Sequence, residues 1–531
     1  MVASPTAQVE KFFCSFCNVE DIEHEIIPYL NKFIGRDCSR ICIEYPYYDG
    51  DYLSNYYEFY SKKLRLFSKK CCRLLLFQDV PKEDGEVDEE LIGYISLRPT
   101  YKGRYIGRTF LQPGHCIPQR TEEKVGDGSW SIVHPGTAYV IAPKQKVHFD
   151  GKEYFVSAAP HMAQEGDISV CAHISLWGTL RSFSNRFTMY REVRIGELVQ
   201  MIRPESERLI PSHGLTVQQI CRVLLDCGFT PVVRYQKTGK EASKSGGGKA
   251  NETIMDEILT YIDSGIPVIG VNSKRQHAFV AVGRGDLCSE NLKYSNASAI
   301  EPRREAWWNN AKLEWEEQPS ESTFYLASRL VEELIVNDDN QFPYQFLVTR
   351  SDSGLKQLLE ENETIKGKPY LYPASEIDGA VVPLYPRIQL DYEAVLNRFK
   401  ALVEQGFYGT GKTLVVRIFL TSANSLREHV LDVKKEIEES NPHADPELLK
   451  SLQNLLRLEL SRFVWILETS TPQEYENGFI QSVVIIDSTS ATVDEQPIRF
   501  PLPDGDGRII RKDFQGVPRF EGNLTKFSRP G

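Results

Sequence analysis

Apolar and polar positions divide the chain into three stretches with different rhythms. Through residue 157, short apolar runs with period-two alternation dominate. "ICIEYPYY", "CRLLLFQDV", "LIGYISLRP", "GRTFLQP", "TAYVIAP" and "KVHFDGKEYFVSAA" predict strands, separated by proline, glycine and charged turns. Two segments carry helical spacing instead, "VEDIEHEIIPYLNKFIG" and "YLSNYYEFYSKKLRLFSKK". The second has an aromatic stripe, expected to lie in the core. Its basic run "SKKLRLFSKK" is expected to be a solvated helix face.

From residue 158 the rhythm changes. Helical patterns come first: "VCAHISLWGTLRSF", "RIGELVQMI" and "TVQQICRVLLDCGF", the last with Thr216 as cap and Gly228 as stop. A polar glycine-rich loop, Lys237 to Glu252, precedes the helical "ETIMDEILTYIDSG". "IPVIGV", "HAFVAVG" and "RLVEELIVNDD" then read as strands, with a tryptophan-rich insertion between the last two. After residue 350 the pattern is mixed again. "DYEAVLNRFKALVEQGF", "LREHVLDVKKEIEES" and "PELLKSLQNLLRLEL" predict helices; "TLVVRIFLT", "RFVWILETS" and "IQSVVIIDSTS" predict strands. The tail beyond them reads as partly irregular. These rhythms predict an α+β protein of three domains, 1–157, 158–350 and 351–531.

Composition narrows the function classes. Of 531 residues, 41% are hydrophobic and 25% charged, ordinary for a soluble globular protein. A net charge of −11 disfavours nucleic acid and anionic membrane as partners of the whole surface, while leaving room for a local basic patch. No apolar run approaches the roughly 18–20 residues of a membrane span. The segment "MVASPTAQVEKFF" lacks the basic and apolar blocks of a secretion signal. Eleven cysteines, an odd number, lead us to expect free thiols and a cytoplasmic location.

The candidate chemistry centres on Cys171, His277 and Asp338. Cysteine attacks as a thiolate, so its proton must be drawn off. A cysteine opening a helix feels the positive end of the helix dipole. A histidine at the start of the strand "HAFVAVG" can be held rigidly across a cleft from it. Asp338, after the apolar "LIV" and Asn337, is placed to fix the imidazole from a neighbouring strand. Gln164, upstream of Cys171, is a candidate oxyanion donor. His173 lies two residues past Cys171, an offset that turns it to another helix face and makes it a poor base.

The order Cys, His, Asp resembles that of the papain-like cysteine peptidases, and most closely the bacterial branch that includes the double-glycine leader peptidases. "QEGDISVCAHISLWGTL" resembles that family's glutamine, short loop and nucleophile opening a central helix. "HGLTVQQICRVLLDCGF" resembles the following helix, "GIPVIGV" with "QHAFVAVGRG" the strands carrying the histidine, and "VNDDNQFPY" the strand end carrying the acid. The match covers about a third of the chain.

The resemblance implies a papain-like domain over 158–350, flanked by two α+β domains. Cys171 would be the nucleophile, His277 the base and Asp338 its orienting acid. Gln164 and the Cys171 amide would form the oxyanion site. It implies a peptidase needing no metal or organic cofactor and acting on a protein or peptide. The flanking domains would select substrates or bind a regulatory partner. The chain departs from the family in Ala172 and His173, where glycine often follows the nucleophile, and Asn337, Asp338 and Asp339 compete for the acid position.

Two alternatives keep the fold. One uses the same triad for acyl transfer or deamidation; the other is a noncatalytic interaction protein. Two further motifs are weaker. "GFYGTGKT", Gly406 to Thr413, satisfies a phosphate-loop string, but a helix enters it and a strand leaves it, the reverse of what phosphate binding needs. Cys14 and Cys17 with Cys38 and Cys42 have irregular spacing in apolar surroundings, closer to buried thiols than to a zinc site.

Overall fold

The segment "HAFVAVG" is apolar at almost every position because its strand is covered on both faces. Phe279 and Ala281 belong to a core shared with the helices that follow Cys171 and precede Val268. Val280 and Val282 belong to a second core, shared with the sheet built from the first part of the chain. The computed structural model describes Leu30 and residues 38–528, apart from 82–86, 101–104, 117–121, 126–129, 134–136, 166–167, 203–213, 237–248, 288–306, 310–313, 317–322, 332, 350–373, 405–407, 409–411, 441–444, 490–508 and 521–523. Helices are combined with sheets that are almost entirely antiparallel, so the fold is α+β.

The central sheet contains β1 (Thr137–Val140), β2 (Thr230–Tyr235), β3 (Val268–Asn272), β4 (His277–Arg284), β5 (Glu333–Asn337), β6 (Gln345–Val348), β7 (Gly379–Leu384) and β8 (Thr525–Ser528). Its main path runs β2-β7-β3-β4-β5-β6, while β1 pairs with the far end of β4 and with β8. Helices α1 (Gly50–Glu58), α2 (Cys171–Arg186) and α3 (Lys249–Asp263) matter most for the site. Both α2 and α3 pack on β4.

Two more sheets flank this one. Arg40–Tyr47, Cys71–Pro81, Val87–Leu97 and Ile106–Leu111 form an antiparallel four-stranded sheet in chain order. A five-stranded sheet runs Thr323–Leu326, Thr413–Ser422, Phe463–Ser470, Phe479–Asp487 and Ile509–Pro518, with its first pair parallel. The helices Ala423–Ser440 and Pro446–Leu456 close a separate core against it.

Hydrogen bonding therefore crosses both boundaries expected from the sequence, 157/158 and 350/351. β7 comes from beyond residue 350 yet bonds to both β2 and β3. β1 comes from before residue 157 and bonds to Gly283 and Arg284 of β4. Thr323–Leu326, from the middle stretch, pairs with Thr413–Ser422 of the last. Linear rhythm reports each strand's own burial and carries no information on which distant strand it meets.

Buried charges tie these parts together. Asp263, at the end of α3, accepts from Arg284 of β4 at 2.7 Å and from Arg417 of the five-stranded sheet at 2.9 Å. Burial opposes its ionisation, but the two guanidiniums hold its carboxyl well below the usual carboxylate range. Arg417 also pairs with the buried Glu468 at 3.3 Å. On the other side, Asp51 of α1 accepts from Trp177 at 3.1 Å and Arg181 at 3.2 Å, both on α2.

Other local expectations meet mixed outcomes. The helix expected over the aromatic stripe stops at Glu58, followed by a tight turn over Tyr60–Lys62. Tyr52 and Tyr60 are core, as expected of the stripe. The basic run beyond is not a helix face: residues 63–70 carry no regular structure. The tail, expected to be partly irregular, supplies the strands Ile509–Pro518 and β8. The phosphate-loop string is entered by the helix Tyr392–Glu404 and left by the strand Thr413–Ser422. Cys14, Cys17 and the helix "VEDIEHEIIPYLNKF" lie outside the described residues, Leu30 excepted, as does most of the Lys237–Glu252 loop.

β3 and β4 place Gly270 directly opposite Phe279. A Cβ on Gly270 would lie 2.2 Å from the tip of the fully buried Phe279 ring. Gly270→Ala should therefore lower stability by about 1–3 kcal/mol in denaturant titrations. Adding Phe279→Leu should recover part of that loss.

Candidate active site

Three chain segments converge on one spot. The first is the start of α2. Val170 precedes the helix in extended conformation, so Cys171 is its first helical residue. No acidic side chain occupies the first turn, and the helix dipole presents its positive end at the sulfur. The Val170 amide donates to Nδ1 of His173 at 3.5 Å, which makes His173 part of the helix end. Leu176, Trp177 and Phe183 are fully buried and lock α2 in place.

The second segment is the tight turn Ser273–Gln276. Asn272 Oδ1 accepts from the Arg275 amide at 3.0 Å, and Gln276 adopts a left-handed φ of 51° to reverse the chain. Asn272 and His277 then close the β3–β4 pair, so the imidazole hangs from the first residue of a buried strand.

The third segment follows β5. Val280 pairs with Asn337, which carries the residues after Asn337 toward the start of β4. Asp338 Oδ2 lies 2.8 Å from Nε2 of His277. Its other oxygen accepts from the Asn340 amide at 2.9 Å. Asp339 stands further off, with Oδ1 at 3.9 Å from Nε2. Asn337 is committed elsewhere: it donates to the Pro160 carbonyl and accepts from the Tyr344 amide. Of the three candidates for the acid position, Asp338 is the one against the ring.

The Cys171 thiol hydrogen-bonds the same imidazole, so His277 stands between a sulfur and a carboxylate. Burial works against its protonation. The hydrogen bonds to Asp338 and Cys171, with the charges of Asp338 and Asp339, outweigh burial and push its pKa up to about 11. His161 and His173 show the opposite balance. Burial pushes both down to about 4, in His161 despite the nearby charge of Asp338. Of these three histidines, His277 is the one that carries a proton at neutral pH.

Gln164 joins the cluster from the acid side. Its Nε2 donates to Asn340 Oδ1, and Asn340 in turn touches Asp338 and Asp339. The segment around it is pinned by residues that sequence reading did not single out. Arg98 donates to the carbonyls of Ala163 at 2.6 Å and Gln164 at 3.3 Å. It also pairs with the buried Glu165 at 3.2 Å. Glu165 accepts from Asn55 at 3.0 Å and the Tyr60 hydroxyl at 3.3 Å. Glu165 directly follows Gln164, but Arg98, Asn55 and Tyr60 lie 65 or more positions upstream, with no local pattern to mark them.

His277, Asp338 and Asp339 also present ligand atoms within 4.8 Å of one another, a set compatible with a divalent cation. The thiol on the ring and the single close carboxylate fit a proton relay as well. Protein-family models, characterised proteins and solved structures yield no match to this chain.

The raised pKa fixes a pH dependence. Folding raises the His277 value above the roughly 6.5 of an unfolded histidine, so its stabilisation is complete below that pH. It declines as pH rises and is lost on passing about 11. Native protein should therefore lose denaturation midpoint between about pH 7 and 10 more steeply than Asp338→Asn, in matched urea titrations.

Proposed function

We propose that the chain is a thiol hydrolase, a peptidase acting on peptide or isopeptide bonds through Cys171, His277 and Asp338, on a papain-like arrangement in the middle of the chain. The observation that carries this reading is the placement of one imidazole between the Cys171 thiol and the Asp338 carboxylate. The setting supports it further: nucleophile at a helix start, base at a strand start, acid after the next strand.

In this scheme His277 holds the thiol proton, and the sulfur stands at the positive end of the α2 dipole. The sulfur attacks the scissile carbonyl and forms a C–S bond, while the carbonyl electron pair moves onto oxygen. The Cys171 amide and Gln164 donate to that oxyanion. The tetrahedral species collapses, the C–N bond breaks, and His277 delivers its proton to the departing amine. His277 then takes a proton from water, the hydroxide oxygen bonds the acyl carbon, the C–S bond breaks, and the acid departs, leaving the sulfur and the protonated His277 as they began. Asp338 keeps Nε2 oriented throughout, so the remaining ring nitrogen, Nδ1, faces the sulfur.

Labelling native protein with a small electrophile should modify Cys171 ahead of every other cysteine, mapped by mass spectrometry. A Cys171 that reacts no faster than the rest marks a noncatalytic protein. Cys171→Ala should lower kcat/KM on a pooled peptide library by about a thousandfold or more while leaving the protein folded, read from a cooperative melting curve. Gln164→Ala should cost about a hundredfold to a thousandfold in kcat. Chelators should leave turnover unchanged, whereas loss of turnover would point to a cation on His277, Asp338 and Asp339. Product that gains an added amine in place of water would assign acyl transfer.

A further inference from the structure

Residues 57–70 contain five cations, Lys62, Lys63, Arg65, Lys69 and Lys70, against one acid, Glu58, in a chain of net charge −11. Among them stand Leu64 and Leu66, with relative exposures of 105% and 94%. Single exposed leucines are common and need no function. Two fully exposed ones, set between cations in the order Lys-Lys-Leu-Arg-Leu, form a different surface.

The loop's base is fixed and its tip projects. Tyr60 and Tyr52 are buried beneath it, with Phe59 and Phe67 packed against their cluster. The Tyr52 hydroxyl donates to the Ser68 carbonyl at 2.8 Å, and the Lys70 amide donates to Ser68 Oγ at 3.0 Å. Lys63 sits 4.0 Å from the Phe59 ring centre and Arg65 5.4 Å from that of Phe67. Lys69 donates to the half-exposed Tyr57 hydroxyl at 3.2 Å. Rings thus hold cations around the leucines, while the leucine side chains point into solvent.

We infer that residues 62–70 are a docking loop for an anionic lipid surface. Leu64 and Leu66 enter the apolar layer, and the surrounding lysines and arginine meet the headgroups. Charge complementarity selects an anionic partner. The form of the tip selects a bilayer over an acidic polypeptide: a planar apolar layer accepts two projecting side chains at once, whereas a polypeptide must bring a pocket for each. Docking of this kind is peripheral; no described helix is long and apolar enough to cross a membrane. The inference is independent of catalysis.

The test is flotation of the full chain with phosphatidylcholine vesicles, with and without about one-third phosphatidylserine. Wild type should float with the anionic vesicles alone, and high salt should release it. Leu64→Ser/Leu66→Ser and, separately, Lys63→Gln/Arg65→Gln should each weaken flotation at least roughly tenfold. Both pairs are exposed or edge positions, so unchanged melting curves certify folding. No flotation at low salt would overturn the inference. So would equal flotation of wild type and the leucine pair, or capture by polyglutamate beads without capture by vesicles.

Discussion

Asp263 is the point at which the molecule is fastened. One carboxylate, removed from solvent, receives Arg284 from the central sheet and Arg417 from the five-stranded sheet. Such a triad contributes little net stability compared with apolar packing of the same volume, but removing one member strands the others and costs about 3–5 kcal/mol. Its effect is to fix relative position. Arg284 ends the strand that begins with His277, so the fastening sets where the imidazole stands. Asp51 does the same for α2 through Trp177 and Arg181, and so for Cys171. The two side chains whose meeting defines the site are each anchored by a buried carboxylate from another part of the chain.

The histidines show how position decides charge. His161 and His173 are buried among groups that offer little to a cation, and burial wins. His277 is largely buried too, yet two carboxylates lie within 4 Å of its ring nitrogen and tip the balance. The same residue type is thus neutral in two places and protonated in a third. Of these three positions, the one beside the Cys171 thiol is the one whose surroundings favour an imidazolium.

How much of this was legible in the residues follows from the range of each signal. Cys171 opening a helix, His277 opening a strand and Asp338 closing one are local patterns of a few residues, and the structure brings these three together. Gln164 stood out by its nearness to Cys171 in the sequence, whereas its amide bonds to Asn340, which no pattern marked. Arg98, Asn55 and Tyr60 could not be found, because nothing near them reports that Glu165 waits for them across the fold. The helix expected over "YLSNYYEFYSKKLRLFSKK" ended early for a related reason. Beyond Tyr60 the leucines have no core to face, and helical spacing without a partner surface does not hold a helix.

The interleaved central sheet sets a limit on how this protein can be divided. A fragment cut at 158 and 350 would lose β7, leaving β2 and β3 as two exposed edges with a gap between them. Unpaired edges of that kind recruit strands from other copies. The middle third is therefore not a portable cassette: recombination at its sequence borders would yield an adhesive half-sheet rather than a transferable unit.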